Sequence, residues 1–330
     1  MYIATIDGGT TNTRVLIWQD GAIKSEAKTS VGVRNTAIDG SNAKLVAAVR
    51  SLLSEAAEGA GIALSDISLI LAAGMLTSNV GLIEIPHVAA PVTVKELAGS
   101  MVCAKMSAIA DKPIWFVPGV KNLAPEAMTI ANRAAMDMMR GEEAQSVGML
   151  GFARSGKKTV FVFPGSHHKF VLIDEKQSIR GCLTTLAGEA LNSLTFDTVL
   201  ADTLARSFAA EFDEKSFLMG VEDALSQGFL HAAFMTRILG VNYGFTPSMA
   251  QNYVLGIILA DELKALKTCS LFGGLEDAVF VLTGKSVMQK AYACLFKREQ
   301  WDCAVLSEKE QEGLSGRGAI ALAGMRGLLG

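Results

Sequence analysis

Several things are scarce in this chain, and each scarcity closes off a class of protein. Its 330 residues hold five cysteines, at 103, 182, 269, 294 and 303, an odd and scattered set with no C-x-x-C pair. That pattern argues against a disulfide framework or a zinc site, and a reducing cytoplasm is the expected compartment. No uncharged apolar run reaches the ~20 residues of a membrane helix, so no membrane partner is expected. The first residues lack a basic segment and set Asp7 inside the first apolar run, so no signal peptide is expected. Lys and Arg (30) are balanced by Asp and Glu (33) and spread along the chain, for a net charge of −3. Such a balance leaves no electrostatic footprint for nucleic acid. Pro- or Ser-rich linkers and low-complexity tracts are also missing.

What remains is a chain that is 50% hydrophobic, long enough for two similar α/β domains. The expected division is 1–152 and 153–330, with the join in packed structure around 150–158. An apolar hairpin is predicted at 2–7 and 14–19, with a third strand at 22–29. A helix follows in "SNAKLVAAVRSLLSEAAEGAG", where Leu45, Val49, Leu52 and Leu53 fall at helical spacing. Short buried strands are expected at 67–74 and 113–119, with a helix near 93–110 between them and another at 141–151. A second hairpin fills 160–179. Helices are then expected near 184–206 and 216–239, and one capped by Thr246 with Pro247 at its first position. Strands at 278–284 and 303–306, each followed by a helix, complete the pattern.

The two hairpins carry the chemistry. In "DGGTTNTR", Gly8 and Gly9 let backbone N–H groups approach an anion, and Thr10, Thr11, Asn12 and Thr13 add donors. Asp7 ends the strand beside them, where a carboxylate can hold Mg²⁺. In "PGSHHK", Gly165, Ser166, His167 and Lys169 bring donors and a cation with no carboxylate. A plain Gly/Asn turn explains either hairpin alone. The pair together suits a clamp on a polyphosphate, one half carrying the metal-directing acid and the other the neutral or basic donors.

Further along, "MRGEEAQSVGML" sets Glu142 and Glu143 in the first turn of a helix just ahead of the second hairpin. Acids there can simply satisfy the helix dipole, or one can act as general base toward an attacking hydroxyl. In "VLTGKSVMQKAY", Gly284 and Ser286 form a strand-to-helix turn where a flat ring could lie on the backbone. "AAGMLTSNVGLIEIPHVAAP" supplies Ser78, Asn79 and His87 for a polar ligand, or only a connection. "GFARSGKK" mimics a P-loop but has Lys158 where Ser or Thr is needed and leads into a strand. "GRGAIA" mimics a dinucleotide fingerprint without a strand before it and is read as a helix start, nothing more.

At "DGGTTNTR", "AAGMLTSNVG", "VPGV", "MRGEEAQ", "PGSHHKFV", "GIILADEL" and "VLTGKS" the chain resembles the sugar kinase, heat-shock chaperone and actin superfamily of ATPases. Within it the chain is most similar to the 2-dehydro-3-deoxygalactonokinase family, with these pieces in family order over nearly its whole length. The resemblance implies an α/β fold of two ribonuclease-H-like, actin-like ATPase lobes with a nucleotide cleft between them. It implies ATP and Mg²⁺, and phosphoryl transfer to the 6-hydroxyl of 2-dehydro-3-deoxygalactonate, a step of galactonate breakdown. Carried over by motif, Asp7 to Thr11 resemble the first phosphate loop, Gly165 to His167 the second, and Gly284 to Ser286 the adenosine loop. Either acid of "RGEE" stands where related ATPases activate water or hydroxyl, with Glu142 slightly favoured. Gly74 to Gly81, including Met75, Ser78 and Asn79, would form the sugar-acid pocket, with Arg140 facing the substrate carboxylate. The chain departs from the family pattern at Gly8 and Leu82, each in place of an aromatic, and at His87, where Tyr is common.

The reading is therefore a kinase acting on a small sugar acid, with homodimer formation compatible with it. Two rivals remain at this level: a polyphosphate-cleaving phosphohydrolase of the same superfamily, and a nucleotide-gated interaction protein with no enzymatic turnover.

Overall fold

The computed structural model describes residues 1–329. Two apolar β-prone runs around a Gly-rich turn predict the opening hairpin, and it forms: β1 (Tyr2–Gly8) pairs antiparallel with β2 (Thr13–Gln19), Asp7 opposite Arg14. β3 (Ala22–Thr29) continues the meander. After α1 (Val33–Asp39), α2 (Ala43–Gly59) buries its predicted stripe of Leu45, Val49, Leu52 and Leu53 in the core that also takes Ile6, Val15 and Ile17. β4 (Ile67–Gly74) then lies parallel to β1, with Gly74 beside Gly8.

The chain goes on through β5 (Val88–Ala89), α3 (Val94–Gly99), β6 (Val102–Ala104), β7 (Ile114–Phe116), β8 (Val120–Lys121), β9 (Met138–Met139) and α4 (Glu142–Met149). The main sheet has the order β3-β2-β1-β4-β7-β6, and β5-β8-β9 form a small second sheet.

The second hairpin repeats the first. β10 (Thr159–Phe163), β11 (His168–Ile173) and β12 (Ile179–Thr185) make a meander, followed by α5 (Ala187–Phe196), α6 (Glu214–Gln227), α7 (Phe229–Asn242) and α8 (Pro247–Thr268). β13 (Val279–Leu282), α9 (Ser286–Arg298), β14 (Asp302–Val305), α10 (Glu308–Gln311) and α11 (Leu314–Met325) complete the chain. The sheet order is β12-β11-β10-β13-β14, and β13 runs parallel to β10 as β4 does to β1. Each half thus lays down a three-stranded meander and then adds a parallel strand beside its first strand.

Contacts divide the chain into two units: Met1–Ala153 with Lys176–Cys182 and the residues from Glu312 onward, and Arg154–Glu175 with Leu183–Gln311. The expected division at 152/153 gave the last helix to the second lobe, whereas α11 packs within the first unit. Its glycines make that possible. A Cβ on Gly318 would fall 1.7 Å from the Ala144 carbonyl oxygen, and one on Gly148 of α4 would fall 2.2 Å from that of Leu314. "GRGAIA" is therefore more than a helix start: it lets α11 and α4 meet backbone to backbone.

Three predicted helices are shorter than expected. The one near 93–110 ends at Gly99, because residues 102–104 pair with β7. The one near 184–206 ends at Phe196, beyond which Ala205 and Arg206 have positive φ. The one at 216–239 is two helices, broken at Gly228 with φ +88°. Among the described residues no helix is long and apolar enough to cross a membrane.

Candidate active site

The first unit brings three glycines together at the carboxyl ends of its parallel strands, where ligands of open α/β sheets bind. Gly8 ends β1 and Gly74 ends β4, in register. Gly74 has φ +80° and ψ −152°, a conformation reserved for glycine, and a Cβ there would lie 2.5 Å from the Gly8 carbonyl oxygen and 3.2 Å from Asp7 Oδ1. Gly141, with φ +112°, caps α4, and its Cβ would lie 3.3 Å from the Gly74 Cα. Missing side chains thus let the N-terminus of α4 approach the strand end that carries Asp7.

Burial acts on both acids of this corner. It raises the Asp7 pKa above the ordinary carboxylate value, against the opposing charge of Arg14 and a hydrogen bond with Ser315 of α11. Glu143 has no exposed surface. The Gly141 N–H donates to both its oxygens, at 2.9 and 2.8 Å. Burial first, and then the neighbouring Glu142, lift the Glu143 pKa from 4.5 to about 8. Glu142 is only half-buried. The two predicted acids therefore differ: Glu143 is folded back on its own helix start, and Glu142 keeps surface.

The turn itself is ordered by its backbone. Gly9 N–H donates to the Asn12 carbonyl at 2.8 Å, and the N–H groups of Val33 and Arg34 donate to the Gly9 and Thr10 carbonyls. Thr10, Thr11 and Asn12 are exposed, with their polar groups on the surface. Thr13 is not a free donor as expected: it is 1% exposed, and its hydroxyl donates to the Val31 carbonyl at 2.7 Å.

Arg140 and His87 meet because β5 and β9 flank β8 on either side, one beginning just after His87 and the other ending just before Arg140. Gly119 leaves room for both, since a Cβ there would lie 2.7 Å from Arg140 Cγ and from His87 Cδ2. Arg140 Nη1 donates to Thr77 Oγ1 at 2.6 Å and Nη2 to the Ile85 carbonyl at 2.7 Å, with His87 Nδ1 3.3 Å away. Burial and the Arg140 and Lys121 charges push the His87 pKa down from 6.5 to about 4, so the ring is neutral near pH 7. Of the predicted pocket residues, Met75 is half-buried and Asn79 exposed, whereas Ser78 is 6% exposed and donates to the Met75 carbonyl at 2.7 Å.

The second unit has a parallel arrangement at the ends of β10 and β13. Gly165, Ser166 and His167 are exposed at the turn. Gly188 of α5 presses beneath them, where a Cβ would lie 2.0 Å from the Gly165 carbonyl oxygen. Glu189 N–H donates to the Ser166 carbonyl at 3.0 Å, and its carboxylate lies 2.9 Å from His167 Nε2. Lys169 is not at the tip as expected; it is the second residue of β11, 8% exposed, and donates to Thr184 Oγ1 at 2.7 Å. Gly284, with φ +95°, lies against Pro164 and is held through its N–H by Gln311 Oε1 at 2.7 Å. Ser286 is the exposed first residue of α9. The turns at 165–167 and 284–286 are therefore neighbours within this unit.

The corner at Asp7 suits Mg²⁺. Asp7 would offer a hard carboxylate oxygen, and the glycine at 74 keeps a Cβ from coming within 3.2 Å of it. Mg²⁺ serving phosphoryl transfer takes one or two protein carboxylates and completes its octahedron with water and phosphate. Among the described residues no three His, Cys, Asp or Glu side chains lie together as a protein-only metal cage. Sequence reasoning missed Ile85, Gly119, Gly141, Ser315 and Gly188. The signal available for the last was a glycine inside a predicted helix.

Comparison with known proteins bears on family and fold. The family model described as 2-keto-3-deoxy-galactonokinase matches residues 7–317. A Sinorhizobium meliloti protein described as a candidate 2-dehydro-3-deoxygalactonokinase is 22% identical, with 99% of each chain covered and a TM-score of 0.74. A candidate N-acetylglucosamine kinase from Porphyromonas gingivalis is 13% identical over 97% of this chain and 98% of its own, with a TM-score of 0.50. Component A of the Acidaminococcus fermentans (R)-2-hydroxyglutaryl-CoA dehydratase is 13% identical over 98% and 99%, also with a TM-score of 0.50. No curated protein matches. These structures share the fold of the present chain.

Proposed function

The chain belongs to the 2-keto-3-deoxy-galactonokinase family, and on that premise we propose that it transfers the γ-phosphoryl group of ATP to the 6-hydroxyl of 2-dehydro-3-deoxy-D-galactonate. The family is one of kinases, phosphotransferases with an alcohol acceptor, and this chain is a sugar-acid kinase. The identity of the acid, its product, the 6-phosphate, and a cytoplasmic site of action are our reading.

The observation that carries it is the corner where Gly8, Gly74 and Gly141 let the start of α4 reach the carboxyl end of β1, beside Asp7. Asp7 would hold Mg²⁺, which would supply neutralisation of phosphate charge. Within the first unit the exposed donors of Thr10, Thr11 and Asn12 are suited to phosphate oxygens, and within the second unit so are those of Gly165 to His167. Lys169, tied to Thr184, supports that turn from β11. Gly284 and Ser286 receive the adenosine. Glu142, the half-buried acid, accepts the proton of the attacking hydroxyl. Glu143, neutral near pH 7, braces the helix start through Gly141. On the acceptor side, Arg140 holds the substrate carboxylate with the hydrogens that Thr77, Ile85 and His87 leave available. Gly74, Met75, Ser78 and Asn79 shape the wall around it.

ADP release from Mg–ATP, measured across a panel of 2-keto-3-deoxy sugar acids, tests the reading. Turnover is expected with the galacto acid and at a low level without any acid. Breakdown of ATP or polyphosphate without an acceptor would replace the kinase with a phosphohydrolase. ATP-dependent assembly with no turnover would favour the interaction protein.

A further inference from the structure

A carboxylate lies in the middle of the longest helix of the second unit. Glu262 of α8 is 3% exposed, on a helix whose other buried positions are nearly all apolar. A buried carboxyl group is tolerated there only if its oxygens meet hydrogen-bond donors, and the partners come from three other elements. Thr185, at the end of β12, donates its hydroxyl to Oε1. Tyr292 of α9 donates to Oε2 at 2.5 Å. His168, the first residue of β11, places Nδ1 at 3.2 Å from Oε2 and 2.7 Å from the Tyr292 oxygen.

Counting hydrogens fixes the direction of this chain. Tyr292 has one hydroxyl hydrogen, and it goes to Glu262. The tyrosine oxygen must then accept, so His168 Nδ1 carries the hydrogen it donates. The sequence is His168 Nδ1–H to Tyr292 O–H to Glu262, with Thr185 O–H on the other carboxylate oxygen. His168 and Tyr292 are 1% and 0% exposed, so a substrate in solution reaches neither. The network is not catalytic.

Its anchor points say what it does. His168 directly follows His167 of the turn at 165–167. Thr185 stands three residues before Gly188, the glycine on which that turn rests. Tyr292 belongs to the helix that begins at the turn 284–286. One buried carboxylate is therefore tied to the elements carrying both turns. We infer that Glu262 is a positioning residue that locks the turns at 165–167 and 284–286 in register with each other through His168, Thr185 and Tyr292. The functional consequence rests on the reading that those turns hold ATP.

Glu262→Gln and Tyr292→Phe in the full chain test it. A glutamine has one acceptor oxygen for two hydroxyl donors, so Thr185 or Tyr292 must turn away. Tyr292→Phe is the milder change and removes only the central link. Each is expected to raise the KM for ATP about tenfold or more while the KM for the sugar acid stays within about twofold. The double variant should be no worse than the worse single one, because both break the same chain. Hydrogen exchange of the free protein is the second arm: amides at 165–168 and 284–288 should exchange faster in both variants. Wild-type exchange in these turns, or wild-type KM values with only a lowered melting temperature, overturns the inference and leaves the kinase reading standing. If the unaltered protein turns over no sugar acid, it is that reading which fails, and the exchange arm still decides whether Glu262 locks the turns.

Discussion

Replacing Glu143 with glutamine separates the two acids of α4 by their effect on stability. Glu143 is wholly buried, and its pKa rises from 4.5 to about 8 on folding. Between those pH values the unfolded chain carries it ionised and the folded protein carries it protonated. The folded state then holds the extra proton, so its stability falls as pH rises through this window. At about 1.36 kcal/mol per unit, a gap of about 3.5 units between 4.5 and about 8 corresponds to about 5 kcal/mol. Glutamine is neutral throughout, and its carbonyl oxygen can still accept from the Gly141 N–H. Urea unfolding at pH 5, 6, 7 and 8, followed through the buried Trp18 of the first unit, measures the difference between the two proteins. Glu143→Gln should gain on the unaltered chain by about 3.5 kcal/mol between pH 5 and pH 8. His87 acts in the opposite sense, since its folded pKa of about 4 lies below 6.5 and its contribution is lost as pH falls. It is common to both proteins and cancels in the difference. Parallel stability curves from pH 5 to pH 8 would refute the argument that burial holds Glu143 neutral.

Three further outcomes follow from the same corner. Asp7→Asn should lower kcat at least about a hundredfold by removing the proposed metal ligand, while the metal-free protein stays as stable or gains, because burial already disfavours the Asp7 charge; an unchanged rate at saturating Mg–ATP rules out the metal role. Glu142→Gln should cost about 10²–10⁴ in kcat with the KM for ATP unchanged, and the same loss in Glu143→Gln instead would move the base to Glu143. Gly74→Ala forces a Cβ to 2.5 Å from the Gly8 carbonyl oxygen at φ +80°. It should destabilise the first unit by about 3 kcal/mol or more, seen as a melting temperature lower by roughly 10 °C; an unshifted melt would mean the two strand ends do not abut.

The repeat of the two hairpins was legible because a hairpin is local: two apolar β-prone runs around a Gly-rich turn specify it within about twenty residues, whereas the third strand of the second meander, β12, was not expected. The α2 stripe was legible for the same reason. The sheet β5-β8-β9 was not, since its strands are two residues each and no periodicity can register in so short a run. The overlong helices failed at punctuation. Gly228 interrupts a pattern that is apolar on both sides, and residues 102–104 satisfy a helical stripe as well as a strand until β7 claims them.

Residue type names a functional group, but burial decides whether it is available, and burial is set by partners far away in sequence. Thr13 and Thr11 look alike in "DGGTTNTR", yet Thr13 shares the inward phase of Val15 and Ile17. Period-two counting alone would have withdrawn it from the donor set. For Arg140 no local rule suffices, because its anchors, Thr77 and Ile85, lie 63 and 55 residues away. The departure at Gly8 shows the same coupling from the other side. A Cβ on residue 8 would lie 2.4 Å from Leu76 Cγ, and Leu76 is itself fully buried. The volume that an aromatic at position 8 would claim is filled from the turn after β4. A large residue at 8 therefore requires a smaller one at 76, so the two positions must change together, and Gly8→Phe should be tolerated only alongside Leu76→Ala.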